Sequence, residues 1–271
     1  MIELPEAVTI ARQISRELKG KRIQRAVRGN APHKFAFYTR SPEEYVEILA
    51  GKVMGDATDH GACLMAFVEP NYAIELGGGG GRILFHASEA TLPKKHQLLV
   101  SFTDGTHLSV TVQGWGSVKL LLRSEIGDPG RVRPLSEDFT FDHFDSLFAD
   151  LAEGDPRSVK YFVISQPGVW GIGNGYLQDI LFTAKLHPRR RAATLDAPER
   201  HALHDAIRST LMEAVSRGGR DTERDLHGNA GGHVPILDRR AKGAPCPRCE
   251  TPIEAISFLG GRSYFCPRCQ V

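Results

Sequence analysis

Four cysteines near the end of the chain constrain its folding more than any other feature. Cys246, Cys249, Cys266 and Cys269 form two Cys-Pro-Arg-Cys pairs within "CPRCETPIEAISFLGGRSYFCPRC". A Cys-x2-Cys pair followed, 16 residues later, by a second such pair has the spacing of a four-thiolate zinc site. Each pair places two thiolates on one turn, and the residues between them return as a hairpin. Metal binding can stabilise a unit too small to have its own core. With cysteine at all four positions, no place is left for water, so the metal is expected to be structural. Two disulfides are the competing pairing. The opening "MIELPEAVTI" lacks the basic and apolar regions of a secretory signal, and in an unexported chain clustered cysteines read as metal ligands. Cys63 stands alone in an apolar run and reads as a core residue. Between the pairs, Gly260-Gly261 predicts a tight turn with Arg262 at its tip. A guanidinium there suits bidentate phosphate contact, and a solvated surface arginine is the plain alternative.

At 271 residues the chain is long enough for two domains. It has no apolar run of about 18 residues, so no membrane-spanning helix is expected. The net charge of +2 conceals an asymmetry. Residues 1–155 hold 17 Lys+Arg against 21 Asp+Glu, and residues 156–271 hold 17 against 11. A basic second half suits a polyanionic partner, although a solvated charged surface has the same composition.

Apolar spacing predicts a helix over 5–19, closed by Gly20. Short apolar runs alternating with turn signals over 20–120 predict a sandwich or barrel-like pair of sheets. "SFTDGTHLSV" reads as a hairpin turning on Asp-Gly, and Ser41 with Glu44 predicts a capped helix over 41–50. The Gly-, Pro- and charge-rich stretch 123–138 reads as a linker. Helices are predicted over 139–153, 156–166, 176–185 and 197–217.

"SVKYFVISQPGVWGIGNGYLQDILF" places a glycine-rich double turn between two helices. Asn174 is expected to cap the second helix near Tyr176, and free N–H groups at such an end favour an anion. An αα-hairpin without a ligand fits the same pattern. This stretch, continued as "GIGNGYLQDILFTAKLHPRR" and followed by the four-cysteine module, resembles the Fpg/Nei family of formamidopyrimidine-DNA glycosylases and endonuclease VIII proteins. "ELPEAVTIARQI", "KKHQLLVSFTDG" and "RPLSEDF" extend the resemblance, in order, over nearly the whole chain.

The resemblance implies an α+β protein. A β-sandwich domain with an N-terminal helix spans 1–125, a linker 126–137, a helix-two-turn-helix domain 138–235 and a β-hairpin zinc finger 236–271. It also implies base-excision repair, in which a damaged base is flipped out of the stack. An N-terminal amine, from Met1 or Ile2, attacks the sugar as a Schiff-base nucleophile, with cleavage at the abasic site to follow. Glu3 handles protons, and Glu6 matches a second acidic position. Lys95, His96, Asn174 and Arg262 are the implied DNA contacts. The expected partner is double-stranded DNA with a damaged base or abasic site. The expected setting is a monomer, with no membrane partner, in the cytoplasm with the nucleoid.

Departures from the family pattern carry a second hypothesis. Most members begin with proline where Ile2 stands, and "DHGACLMAF" has Ala62 where a lysine is usual. "LGGGGG" has Gly78 where a void-filling residue is usual, leaving Gln113 and Trp115 of "QGWGS" as candidate wedges. These changes suit a non-catalytic damaged-DNA-binding protein. The loop 219–235 matches the family's lesion-recognition loop, and its charged opening "GGRDTERDL" points to a different substrate.

Overall fold

The computed structural model describes residues 1–128 and 130–271. They divide into two units, Met1–Asp128 with Val215–His233, and Pro129–Ala214 with Val234–Val271.

The first unit is built on two sheets. One has strand order β1-β7-β8-β6 and the other β2-β9-β5-β4-β3. The first sheet contains β1 (Ile23–Arg28), β6 (Gly80–His86), β7 (Leu98–Phe102) and β8 (His107–Gln113). The second contains β2 (Ala36–Phe37), β3 (Val53–His60), β4 (Cys63–Glu69), β5 (Tyr72–Gly77) and β9 (Gly116–Leu122). Side chains alternate between the faces of a strand, and the inward rows of both sheets meet in one core. Leu64, Ile74, Leu76, Ile83, Leu98, Val100, Leu108 and Leu120 are all buried in it. Helix α1 (Leu4–Leu18) adds Ala7, Ile10, Ala11, Ile14 and Leu18 to that core. Their spacing of three and four residues puts them on one helical face. Gly20, at φ +85°, ends the helix with the left-handed turn that glycine adopts without strain. Helix α2 (Pro42–Leu49) starts at Ser41, whose hydroxyl accepts the Glu44 N–H while the Glu44 carboxylate accepts the Ser41 N–H. Asp104 and Gly105 lie in the turn between β7 and β8.

The segment 215–233 belongs to this first unit, whereas the sequence reading kept 138–235 together as one domain. Leu226 is fully buried in the sheet core, and its N–H donates to Gln13 Oε1 of α1 at 2.9 Å. Leu226 and the bonds of Arg220, Glu223 and Asp225 to α1 and the chain start hold the segment there, and chain periodicity records none of them.

The second unit carries α3 (Phe141–Ser146), α4 (Val159–Ile164), α5 (Asn174–Thr183), all but the last two residues of α6 (Ala197–Ser216), and the hairpin β10 (Glu254–Phe258) and β11 (Gly261–Phe265). The first two helices are shorter than the predicted 139–153 and 156–166. The first gives way after Ser146 to turns closed by i→i−3 bonds from the Leu147, Phe148 and Ala149 N–H groups, and the second starts at its cap Ser158 and stops short of Pro167, because the residue before proline disfavours helical backbone. Among the described residues no helix is long and apolar enough to cross a membrane.

Candidate functional site

In the first unit the chain start is held by a charged cluster. The Met1 ammonium donates to Glu223 Oε1 at 2.5 Å. Ile2 is buried at 5 % exposure. It lines a small cavity with Gly77, Gly78, Gly80, Gly81 and Val112. Glu3 and Glu6 are 1 % and 2 % exposed, and Glu6 Oε2 accepts the Glu3 N–H at 2.9 Å. Two buried carboxylates this close need a cation. Arg220 supplies it, with Nη1 3.2 Å from Glu3 Oε1 and Nε 3.3 Å from Glu6 Oε1. Its Nη2 donates to the Met1 carbonyl at 2.5 Å. The charges of "GGRDTERDL" are therefore engaged within the unit. Arg220 meets the glutamates, Glu223 meets the chain start, and Asp225 meets Gln13 Nε2 at 2.9 Å. That engagement gives the loop's charge a physical reason other than a changed substrate.

The glycine run borders this cluster. The Gly78 N–H donates to the Ala62 carbonyl at 2.9 Å, so the β3–β4 turn and the run lie side by side. The half-exposed Trp115 ring lies over Gly78, where a Cβ would come within 2.5 Å of Trp115 Cζ3. Gly78 thus makes room for Trp115. Gln113 and Lys95 are exposed, while His96 is buried, and its burial holds the imidazole below its ordinary pKa. Cys63 is half-buried, with burial and Glu75 pushing its thiol up to about 12, as befits an inert packing residue.

In the second unit, Asn174 is the first residue of α5, and Gly173 is the cap. The expected Asn174 cap is thereby corrected: its side chain faces the hairpin, where a Cβ on Gly261 would collide with Asn174 Nδ2. Arg262 is exposed and pairs in register with Ser257. It stands one step inside β11, because Leu259 and Gly260 make the turn at φ +51° and +70°. Lys160 is fully buried and reaches the hairpin, donating to the Phe258 carbonyl at 2.8 Å and Ser263 Oγ at 3.1 Å. Asp179 accepts the Ile236 and Leu237 N–H groups at 2.9 and 2.8 Å, tying the start of the cysteine module to α5.

The four cysteine sulfurs lie within 4.8 Å of one another. Separations of 3.9, 3.5 and 3.3 Å are found for Cys246–Cys269, Cys249–Cys266 and Cys249–Cys269. Tetrahedral zinc with thiolates at about 2.3 Å puts sulfurs roughly 3.8 Å apart, so the donor set fits zinc. The Arg248 and Cys269 N–H groups each donate to a cluster sulfur at 3.4 Å, as thiolate ligands require. Arg248 itself, between the first two cysteines, caps α5 by donating to the Phe182 carbonyl at 2.6 Å.

Family models match three stretches: the formamidopyrimidine-DNA glycosylase N-terminal domain over residues 1–113, its H2TH domain over 131–225, and the zinc finger found in FPG and IleRS over 243–271. A formamidopyrimidine-DNA glycosylase of Symbiobacterium thermophilum is 32% identical over all of this chain and 89% of its own length. The chain belongs to the Fpg/Nei family. A formamidopyrimidine-DNA glycosylase of Geobacillus kaustophilus is 31% identical with both chains fully covered. Among solved structures, the Fpg (MutM) of Lactococcus lactis, in complex with DNA containing N7-benzyl-Fapy-dG, has the same fold. It matches with a TM-score of 0.85 at 24% identity, covering 99% of each chain. A MutM in complex with carbocyclic 8-oxo-G containing DNA matches at 0.85 and 25%, with the same coverage. The α+β fold and the structural zinc of this chain are those of the family.

Sequence reasoning named Glu3, Glu6, Asn174, Arg262 and the cysteines, and missed Arg220, Glu223, Lys160 and Asp179. The only trace of Arg220 was a charged residue after Gly218-Gly219. Its partners are 214 and 217 residues away.

Proposed function

We propose that the chain is a DNA glycosylase of base-excision repair with AP lyase activity, acting on double-stranded DNA that carries a damaged base or abasic site. The observation that carries this reading is the cluster at the chain start of a member of this family, in which Arg220 joins two buried carboxylates, Glu3 and Glu6, to the Met1 carbonyl, and the Met1 amine itself is held by Glu223. The amine nitrogen bonds to the sugar C1′, and the glycosidic bond breaks with its electron pair leaving on the base. Protons shed by the amine pass through Glu3. Met1 carries the amine where Ile2 keeps it, since a bulky second residue hinders removal of the first. Trp115 stacks where the base left, while Lys95, Asn174 and Arg262 meet phosphates. Zinc, when bound, holds the hairpin that carries Arg262 and takes no part in the chemistry.

The opposing reading is a damaged-DNA-binding protein without turnover. It draws on Ala62 and on the burial of Ile2. Borohydride trapping on a duplex with one abasic site separates the two. A covalent adduct on the first peptide, lost or slowed in Glu3→Gln, supports the enzyme. Intact binding with no adduct would leave only the binding protein or a glycosylase that uses water.

A further inference from the structure

We infer that Arg220 is a positioning residue, which sets the Glu3 carboxylate and the Met1 backbone in their working geometry; this rests on the reading of Glu3 as the proton-handling group. Arg220 is itself 6 % exposed, as buried as its partners require. Its guanidinium meets Glu3 Oε1 at 3.2 Å, Glu6 Oε1 at 3.3 Å, Glu6 Oε2 at 3.4 Å and the Met1 carbonyl at 2.5 Å. Its backbone N–H adds a further bond to Glu6 Oε1 at 3.0 Å. A planar fork with five fixed donors can address three acceptor groups at once, which an ammonium cannot do with the same geometry. The residue that carries the amine and the acid–base group are thereby locked to a single plane of donors.

The loop backbone is shaped to deliver this side chain. The His233 N–H donates to the Gly219 carbonyl, and the Asp221 N–H to the His233 carbonyl, each at 2.9 Å, gripping Arg220 from both sides. Gly219 has φ +91°, and a Cβ there would lie 3.0 Å from Glu6 Oε1. A Cβ on Gly231 would collide with the Gly219 carbonyl oxygen and lie 2.6 Å from that of Arg220. Only glycine allows the two stretches to close on the glutamates.

Stability accounts for a cation facing the two carboxylates, but not for a fork that also bonds the Met1 carbonyl, nor for keeping the charged cluster at all. Buried ion clusters lose much of their attraction to desolvation, and apolar replacements are often as stable. The segment is already anchored by fully buried Leu226 and by the Gln13–Asp225 and Gln13–Leu226 bonds. What Arg220 adds is orientation, and a misplacement of about 1 Å at a reacting group costs on the order of 10²-fold in rate.

The test is single-turnover borohydride trapping on an abasic-site duplex, alongside equilibrium binding to the same duplex. Arg220→Ala and Arg220→Lys are each expected to slow trapping about 10²-fold, with affinity for DNA held within about threefold. Millimolar guanidinium is expected to restore part of the Arg220→Ala rate. In a Glu3→Gln background, Arg220→Ala is expected to cost clearly less than in the wild type, because part of its effect runs through Glu3 and only the part through the Met1 backbone remains. A wild-type rate in Arg220→Ala would overturn the inference. So would the same fold-loss in both backgrounds, or a loss confined to affinity or to folding as read by circular dichroism. A Glu3→Gln protein that traps at the wild-type rate would instead overturn the reading of Glu3, and this inference with it.

Discussion

Gly78 shows how one missing side chain shapes the candidate site. Its φ of +78° and the Trp115 ring above it leave no room for a Cβ. Gly78→Ala should therefore lower stability by about 1–3 kcal/mol and shift Trp115 fluorescence; Trp115→Ala in the same protein should recover the steric part but not the backbone part. Thermal melts of the three variants check this. Glu3 was legible from the sequence as a helix-start acid matching a family pattern. Its partner Arg220 was not, because an ion pair formed across 217 residues leaves no periodic or spacing signal.

At the scale of elements, the cysteine module depends on two kinds of attachment. Its apolar contacts are few, with Phe182, Leu237, Cys246, Ile253 and Cys266 forming its buried cluster. Metal must supply much of its stability. Chelation is expected to unfold residues 243–271 and abolish DNA binding, while the sheets of the first unit keep their far-ultraviolet signal. Limited proteolysis with and without chelator would show the cut sites. The second attachment is Asp179, 2 % exposed. Asp179→Ala removes the acceptor of two N–H groups, and Leu237 is fully buried, so a loss of about 3 kcal/mol is expected in denaturant titrations. The helices α1 and α2 were legible with their caps, since capping and spacing are local. The ends of α3 and α4, and the place of Asn174 as first residue rather than cap, needed the turn geometry itself.

Across the whole molecule, His86, His96 and His187 are all held below the ordinary histidine pKa, burial being the largest cause in each. For His86 the charge of His107 adds to it. A lowered folded pKa means that the unfolded chain binds more protons as pH falls below about 6.5, so acid destabilises the fold. The urea midpoint should drop as pH goes from about 7.5 to about 5.5, and drop less in His86→Gln. His86 lies in the first unit, so its share is separable from protonation of the zinc thiolates in the second. By itself the sequence determined the elements whose code is local: the zinc spacing, the amphipathic α1, the alternating strands and the glycine-rich turn before α5. Only the tertiary structure decided which unit takes residues 215–233, which cation neutralises Glu3 and Glu6, and where the Arg262 hairpin turns. The reason is physical: burial and charge pairing act between residues that are near in space, and a linear pattern records only those near in the chain.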